Sequence, residues 1–235
     1  MGQDWLSALE SERGSMERAS ASAKVAEALR TRIIEGDLQP GTRLSEERIG
    51  TALGVSRNTL REAFQILEHE RLVVREFNRG VFVRALESAD VRDLYAFRRI
   101  LEVAAVRQVA TDGPDLTALH AAVDEGSAAA AAEDWRALGS ANMHFHEALT
   151  ALVGSRRVDD AMRQVLAEMR LVFTTMADPR TFHEPYLDGN RHLAALLAQD
   201  RFDEAESELL AYLERAETQL LEAMSTQPFP PAHPG

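Results

Sequence analysis

The chain has 235 residues, a net charge of −12, 45% hydrophobic and 27% charged side chains, and no cysteine. That length and composition suit a soluble globular protein of one or two domains, and the missing cysteine excludes disulfides, thiolate nucleophiles and Cys-ligated metal centres. No apolar run approaches the ~18 residues of a membrane span. Asp4, Glu10 and Glu12 without an apolar stretch do not read as a secretory signal, so the expected location is the cytoplasm.

The charge is unevenly spread. Residues 17–85 hold 12 basic and 10 acidic side chains, so the acidic excess belongs to the rest of the chain. A locally basic face is what phosphate contacts need, whatever the net charge.

Residues 1–16 read as an arm around Trp5, Leu6 and Leu9. From Ser20, the positions Val25, Leu29, Ile33 and Ile34 follow helical spacing, and Gly36 stops that helix. Gly36-Asp37 and Pro40-Gly41 punctuate turns around Leu38 and Leu44. Ser45 is placed to cap a short helix, with Glu46 and Glu47 in its first turn, Ile49, Ala52 and Leu53 as its buried side, and Gly54 at its end. Ser56 caps a second helix carrying Leu60, Ala63, Phe64 and Leu67 on one face. Two helices joined by a tight glycine turn predict a helix-turn-helix. Leu72-Val73-Val74 and Val81-Phe82-Val83, about an Asn78-Arg79-Gly80 tip, predict a β-hairpin wing.

After Ser88 the pattern predicts no strand, and helices near 88–110, 114–131, 133–152, 155–177, 184–199 and 203–224. The proline-rich residues 226–235 read as an unstructured tail. The expected fold class is mostly α. A winged helix-turn-helix over 17–85 precedes an antiparallel helical bundle over 86–225.

Gly54 to Ala63 carries the clearest chemistry. A Ser-capped helix start presents free N–H groups and a positive dipole end, suited to a phosphate. Arg57 and Arg61 follow on one side, with Asn58 and Thr59 as hydrogen-bonding neighbours. Arginine there can read guanine bidentately in the major groove. The alternative is a solvated helix whose arginines pair with Glu62 or Glu68.

Residues 36–83 resemble the DNA-binding domain of GntR-type regulators. The resemblance rests on Gly36-Asp37-Leu38-Gln39-Pro40-Gly41, Arg43-Leu44-Ser45-Glu46, Leu53-Gly54-Val55-Ser56-Arg57, Leu60-Arg61-Glu62-Ala63, Leu67-Glu68 and Arg79-Gly80-Val81-Phe82-Val83. It implies recognition-helix contacts from Ser56, Arg57, Asn58, Thr59 and Arg61, further contacts from Arg43, Ser45 and Arg48, and a wing tip at Arg79-Gly80 entering the minor groove. It also implies a homodimer on double-stranded operator DNA with pseudo-palindromic half-sites.

Residues 88–224 resemble the FCD domain of the FadR subfamily through Arg98-Arg99-Ile100-Leu101-Glu102, Asn142-Met143-His144-Phe145-His146-Glu147 and Phe202-Asp203-Glu204-Ala205. That resemblance implies a small-molecule effector and, in many members, zinc or nickel held by an Asp or Asn, a His four residues on, and two later histidines. Asn142 and His146 match the first pair. Aligned from the final helix, the remaining positions fall on Asn190 and Tyr212. Aligned on His192, the last falls on Glu214. Neither register restores three histidines, so Asn142, His146 and His192 make an incomplete divalent-metal site. The competing reading is a metal-free pocket in which Asn142, His146, Asn190 and Tyr212 hydrogen-bond the effector.

Arg98 either meets a carboxylate effector or forms an i,i+4 pair with Glu102. His120, His183 and His192 read as surface or helix-end residues, and Leu166, Met169, Val172, Phe173 and Met176 as core or pocket wall. The function implied is a transcription regulator, a repressor released by its ligand through population shift. A hydrolase or dioxygenase built on His144 and His146 lacks a further ligand set and leaves the winged-helix motifs unexplained, so no enzyme is expected. An architectural DNA-binding protein does not need so large a second domain.

Overall fold

In the computed structural model the described residues are 13–109, 114–174, 176 and 178–226, with side chains described from residue 21. Residues 1–12 of the arm expected over 1–16 and the tail beyond 226 fall outside them, while residues 13–16 already belong to the first helix. The chain divides into two compact units between Ala85 and Leu86.

In the first unit α1 (Arg13–Ile34) starts ahead of Ser20. It packs on α3 (Arg57–His69), and Arg30 grips Glu70 with Nε and Nη2 at 2.8 and 2.6 Å. A two-residue strand β1 (Arg43–Leu44) lies where only a turn was expected. It pairs antiparallel with β3 (Gly80–Val83), which pairs antiparallel with β2 (Val73–Glu76), in the order β1-β3-β2. Leu44, Val81 and Val83 turn inward from this sheet with Leu60, Phe64 and Leu67 of α3 as core.

Between β1 and α3, α2 (Glu46–Leu53) is capped by Ser45 Oγ, which accepts from the Arg48 N–H at 3.3 Å. Gly54 ends it at φ 64°, the left-handed conformation that side chains resist. The expected buried side of α2 is not one. Ile49 is half-buried and Ala52 and Leu53 are exposed, so among its eight residues none is fully buried.

Among the described residues the second unit is a bundle of six helices: α4 (Ser88–Val109), α5 (Thr117–Ala131), α6 (Trp135–Ala151), α7 (Arg156–Phe173), α8 (Pro179–Ala198) and α9 (Phe202–Thr226). The helix α6 packs against α4, α5, α7 and α8, while α9 packs on α4 and α8. Leu166, Met169, Val172 and Phe173 are buried as the apolar stripe predicted.

One helix start differs from its sequence pattern. The helix expected over 184–199 begins earlier, and α8 starts at Pro179. Asp178 caps it by accepting from the Thr181 N–H at 3.2 Å, and Pro179 occupies a first-turn position where no N–H is missed. Proline at 185 would orphan the Thr181 carbonyl four residues back. Gln219 on α9 supplies the missing donor, Nε2 to O at 3.2 Å, and accepts from Tyr186 Oη at 2.7 Å.

Candidate nucleic-acid interface and buried polar site

The reading head follows from its caps. Ser56 stands in extended conformation and accepts from the Thr59 N–H at 3.1 Å, which leaves the remaining first-turn N–H groups of α3 unmatched within the helix. Arg57, Asn58 and Arg61 are exposed on α3. Arg61 Nε reaches both carboxylate oxygens of Glu46 at 3.1 Å, and Asn58 Nδ2 donates to Glu62 at 2.9 Å. Glu46 raises the Arg61 pKa through that hydrogen bond, so the cation persists at any physiological pH.

Thr59 is a correction. It is buried, its hydroxyl 2.8 Å from Ser56 Oγ, because the third helical position turns toward the core beside Leu60 and Ala63. It completes the cap and offers no surface to a base.

At the wing, Asn78 takes φ 58° and Gly80 φ 118° to close the turn between β2 and β3. Arg79 pairs with Glu76 at 2.5 Å and lies over the Phe82 ring at 5.6 Å. The Arg43 side chain crosses Gly80, where an added Cβ would sit 3.3 Å from Nε. Arg43, Arg79 and Gly80 therefore form one cationic tip. Arg48 is exposed on α2 beside the Ser45 cap. The tip also carries Phe77, 91% exposed, which the sequence pattern did not single out. Its signal was a large apolar residue next to a polar turn.

In the bundle, four helices bring the predicted polar residues to one place. Glu102 of α4 accepts from Arg98 Nε at 2.7 Å and faces His146 Nδ1 of α6 at 2.7 Å. His146 Nε2 lies 3.2 Å from Tyr212 Oη of α9, which donates to Asn142 Oδ1 at 2.8 Å. Asn190 Nδ2 of α8 donates to the same Asn142 oxygen at 2.8 Å. All but the half-buried Asn142 are buried. The Tyr212 ring lies on the α8 backbone at Gly189, where a Cβ would come within 2.9 Å.

Protonation follows from these neighbours. Burial pushes the Glu102 carboxyl up, but Arg98 and His146 outweigh it and hold the pKa below its usual value. Burial pulls Arg98 down, and Glu102 more than restores it. For His146 burial wins over Glu102 and the pKa falls. At neutral pH the set is thus Arg98 cation, Glu102 anion and neutral His146, whose Nδ1–H donates to Glu102. His146 Nε2 is then an acceptor. Tyr212 has one proton for two acceptors, Asn142 Oδ1 and His146 Nε2. Asn190 Oδ1 and Arg98 Nη2 are buried without partners.

Of the two registers considered for the later helices, the structure brings Asn190 and Tyr212 to Asn142 and His146. His192 and Glu214 are exposed elsewhere. His192 faces Glu204 closely enough to lower its pKa, after the larger effect of Arg201. His183, expected at the surface, is buried because Phe173 and Phe182 enclose it. His144 is exposed and pairs with Glu125 at 2.8 Å.

The residues present do not fit a divalent metal. Among the described residues no three His, Asp or Glu are grouped to hold one. Where two imidazoles would be needed, an amide and a phenol stand instead, and burial drives the Tyr212 pKa well above 10, away from the phenolate a metal requires. Glu102, which the sequence offered only as a partner for Arg98, is the residue that joins Arg98 to His146.

Residues 21–83 match the family described as bacterial regulatory proteins, gntR family, and residues 93–215 match the FCD domain. The Nta operon transcriptional regulator of Aminobacter aminovorans is 31% identical over 191 residues, 78% of this chain and 87% of that protein. The gluconate operon transcriptional repressor of Bacillus licheniformis is 37% identical over 87 residues, 37% of this chain and 35% of its own. A solved GntR regulator from Rhodococcus sp. RHA1 is 47% identical, with a TM-score of 0.82 over 87% of this chain and 99% of that one.

Proposed function

The chain belongs to the GntR family of bacterial regulatory proteins and carries an FCD effector domain of the FadR type, and from that premise we propose that it is a ligand-released repressor. It is a DNA-binding transcription regulator and not an enzyme, as its family and relatives are. The repressor sign is carried over from the gluconate operon relatives, which bear that name. We place its work in the cytoplasm. Among the described residues no helix is long and apolar enough to cross a membrane.

The DNA contacts come from Arg57, Asn58 and Arg61 of α3, from Ser45, Arg48 and Ser56 at the helix starts, and from Arg43, Arg79 and Gly80 at the wing tip. A homodimer on a pseudo-palindrome accompanies this reading. The α4 face with Phe97 and Ile100, the latter 68% exposed, supports it as an apolar surface for a second copy.

One observation carries the effector reading: two buried polar atoms around His146 lack a match. Arg98 Nη2 needs an acceptor and Asn190 Oδ1 needs a donor, while Asn142 Oδ1 keeps the Asn190 Nδ2 donor wherever the Tyr212 proton lies. A small molecule with a hydroxyl or amine donor beside an acceptor oxygen satisfies both. Glu102 already neutralises Arg98, so Arg98 orients a carboxylate through Nη2 alone and does not supply its full counter-charge.

The test is operator release. Fluorescence anisotropy of labelled operator is followed during a screen of small hydroxy acids against wild type, Asn190→Ala and His146→Ala. The expected result is release from wild type, weakened at least tenfold in both variants. Equal release from all three sinks this site.

A further inference from the structure

A second group of buried polar side chains lies where α6, α7 and α8 meet, outside the ring around His146. Arg170 of α7 is 8% exposed. Its Nη2 donates to Ser140 Oγ of α6, and its Nε is buried with no acceptor. Among the described residues no carboxylate pairs with it. His183 of α8 is 3% exposed, and its Nδ1 is buried without a partner as well. Its Nε2 edge rests on Gly139 of α6, where a Cβ would come within 2.7 Å, so α6 is pared to backbone where the imidazole packs. Phe173 and Phe182 close the corner, each with its ring centroid 5.1 Å from the imidazole.

The electrostatics agree with the geometry. Burial and then Arg136, one turn before Ser140, pull the Arg170 pKa down. Burial and then the charge of Arg170 push the His183 pKa down to about 4. Two basic groups therefore share an apolar corner in which the charge of Arg170 disfavours that of His183. A guanidinium removed from water without a counter-ion is strongly unfavourable. The bundle's other deeply buried arginine, Arg98, has Glu102 at 2.7 Å to meet that cost. Arg170 has a neutral hydroxyl.

We propose that this corner is an oxyanion subsite that takes the carboxylate of a small acid. The carboxylate accepts from Arg170 Nε and from His183 Nδ1–H, and Ser140 orients the guanidinium. The residue Asn190 lies seven positions after His183, two turns and ~10 Å along the same face of α8. An acid of about that length reaches from the corner to the ring. That extension rests on the effector reading of the ring, whereas the subsite itself does not.

The test is calorimetric titration of the full chain with sodium succinate and with sodium sulfate at constant ionic strength, beside Arg170→Met, Arg170→Lys and Asn142→Ala. Succinate is expected to bind saturably to wild type. Its Kd rises about tenfold or more in Arg170→Met and less in Arg170→Lys. In chloride alone, Arg170→Met melts higher than wild type, since it removes an unpaired buried charge. A purely structural arginine would move the melting temperature the other way.

The subsite is overturned if no anion binds saturably, or if Asn142→Ala abolishes binding while Arg170→Met does not. Sulfate binding without succinate binding overturns the carboxylate assignment. Normal succinate binding with no release of operator DNA faults the effector reading alone.

Discussion

Glu102 and His146, 44 residues apart in sequence, meet at 2.7 Å with both side chains buried, and the same carboxylate holds Arg98 at 2.7 Å. Replacing Glu102 with alanine strands the Arg98 cation and the His146 N–H together. Breaking one side of a buried pair costs about 3–5 kcal/mol. Urea unfolding of Glu102→Ala should show a loss of that size. The double variant Arg98→Met with Glu102→Leu should regain most of it, because no lone charge remains. A single variant as stable as wild type contradicts the buried pairing.

Stability should fall with acid through His183. Its folded pKa is lowered from 6.5 to about 4 by burial and then by Arg170. The unfolded chain therefore binds a proton below pH 6.5 that the folded chain refuses until about pH 4. The contribution is fully present above pH 6.5 and is lost progressively below it. A shift of this size corresponds to about 3 kcal/mol over the window. The change of His146 has the same direction. Unfolding free energies of wild type and His183→Gln, measured from pH 7.5 to 4.5, should converge as pH falls. Parallel curves would refute the assignment.

In the DNA-binding unit, Arg57→Ala and Arg61→Ala should each weaken operator binding by about 1–3 kcal/mol if they read bases. If they contact phosphate, each lowers the salt slope by about 1. Melting temperatures should stay unchanged, since the Arg61–Glu46 pair is exposed. The variant Thr59→Ala should behave in the opposite way, costing stability of about 1 kcal/mol through the lost bond to Ser56 while leaving base preference intact. Gel-shift titration at several salt concentrations, with thermal melting, separates the two patterns.

Metal addition should do nothing. EDTA, zinc and nickel are expected to leave the melting temperature of wild type unchanged. The variant Asn190→His combined with Tyr212→His should gain stabilisation by zinc, because those positions face Asn142 and His146. Zinc stabilisation of wild type that is lost in His146→Ala would reverse this conclusion.

What the chain disclosed before its structure was mostly local. The caps at Ser45 and Ser56 and the stop at Gly54 were legible because each acts within four residues. So was the facing of Asn142 and His146, by their i,i+4 spacing. The residues that went unread depend on distant partners. Thr59 looked available for DNA until packing with Leu60 and Ala63 set the roll of α3. Glu102 and His183 each pack on a residue 44 positions away, His146 and Gly139, and the two-residue strand β1 exists only because β3 offers an edge. The repair at Pro185 was equally out of reach, since nothing nearby announces Gln219 as its donor.

That repair has a mechanical meaning. A helix missing one rung folds most readily at the gap, and α8 is missing the rung at Pro185. Gln219 bolts the gap from outside and clasps the Tyr186 hydroxyl with the other end of its amide. Both ends of that bolt lie on α8 while its root lies on α9, so the weak turn of one helix is braced by its neighbour.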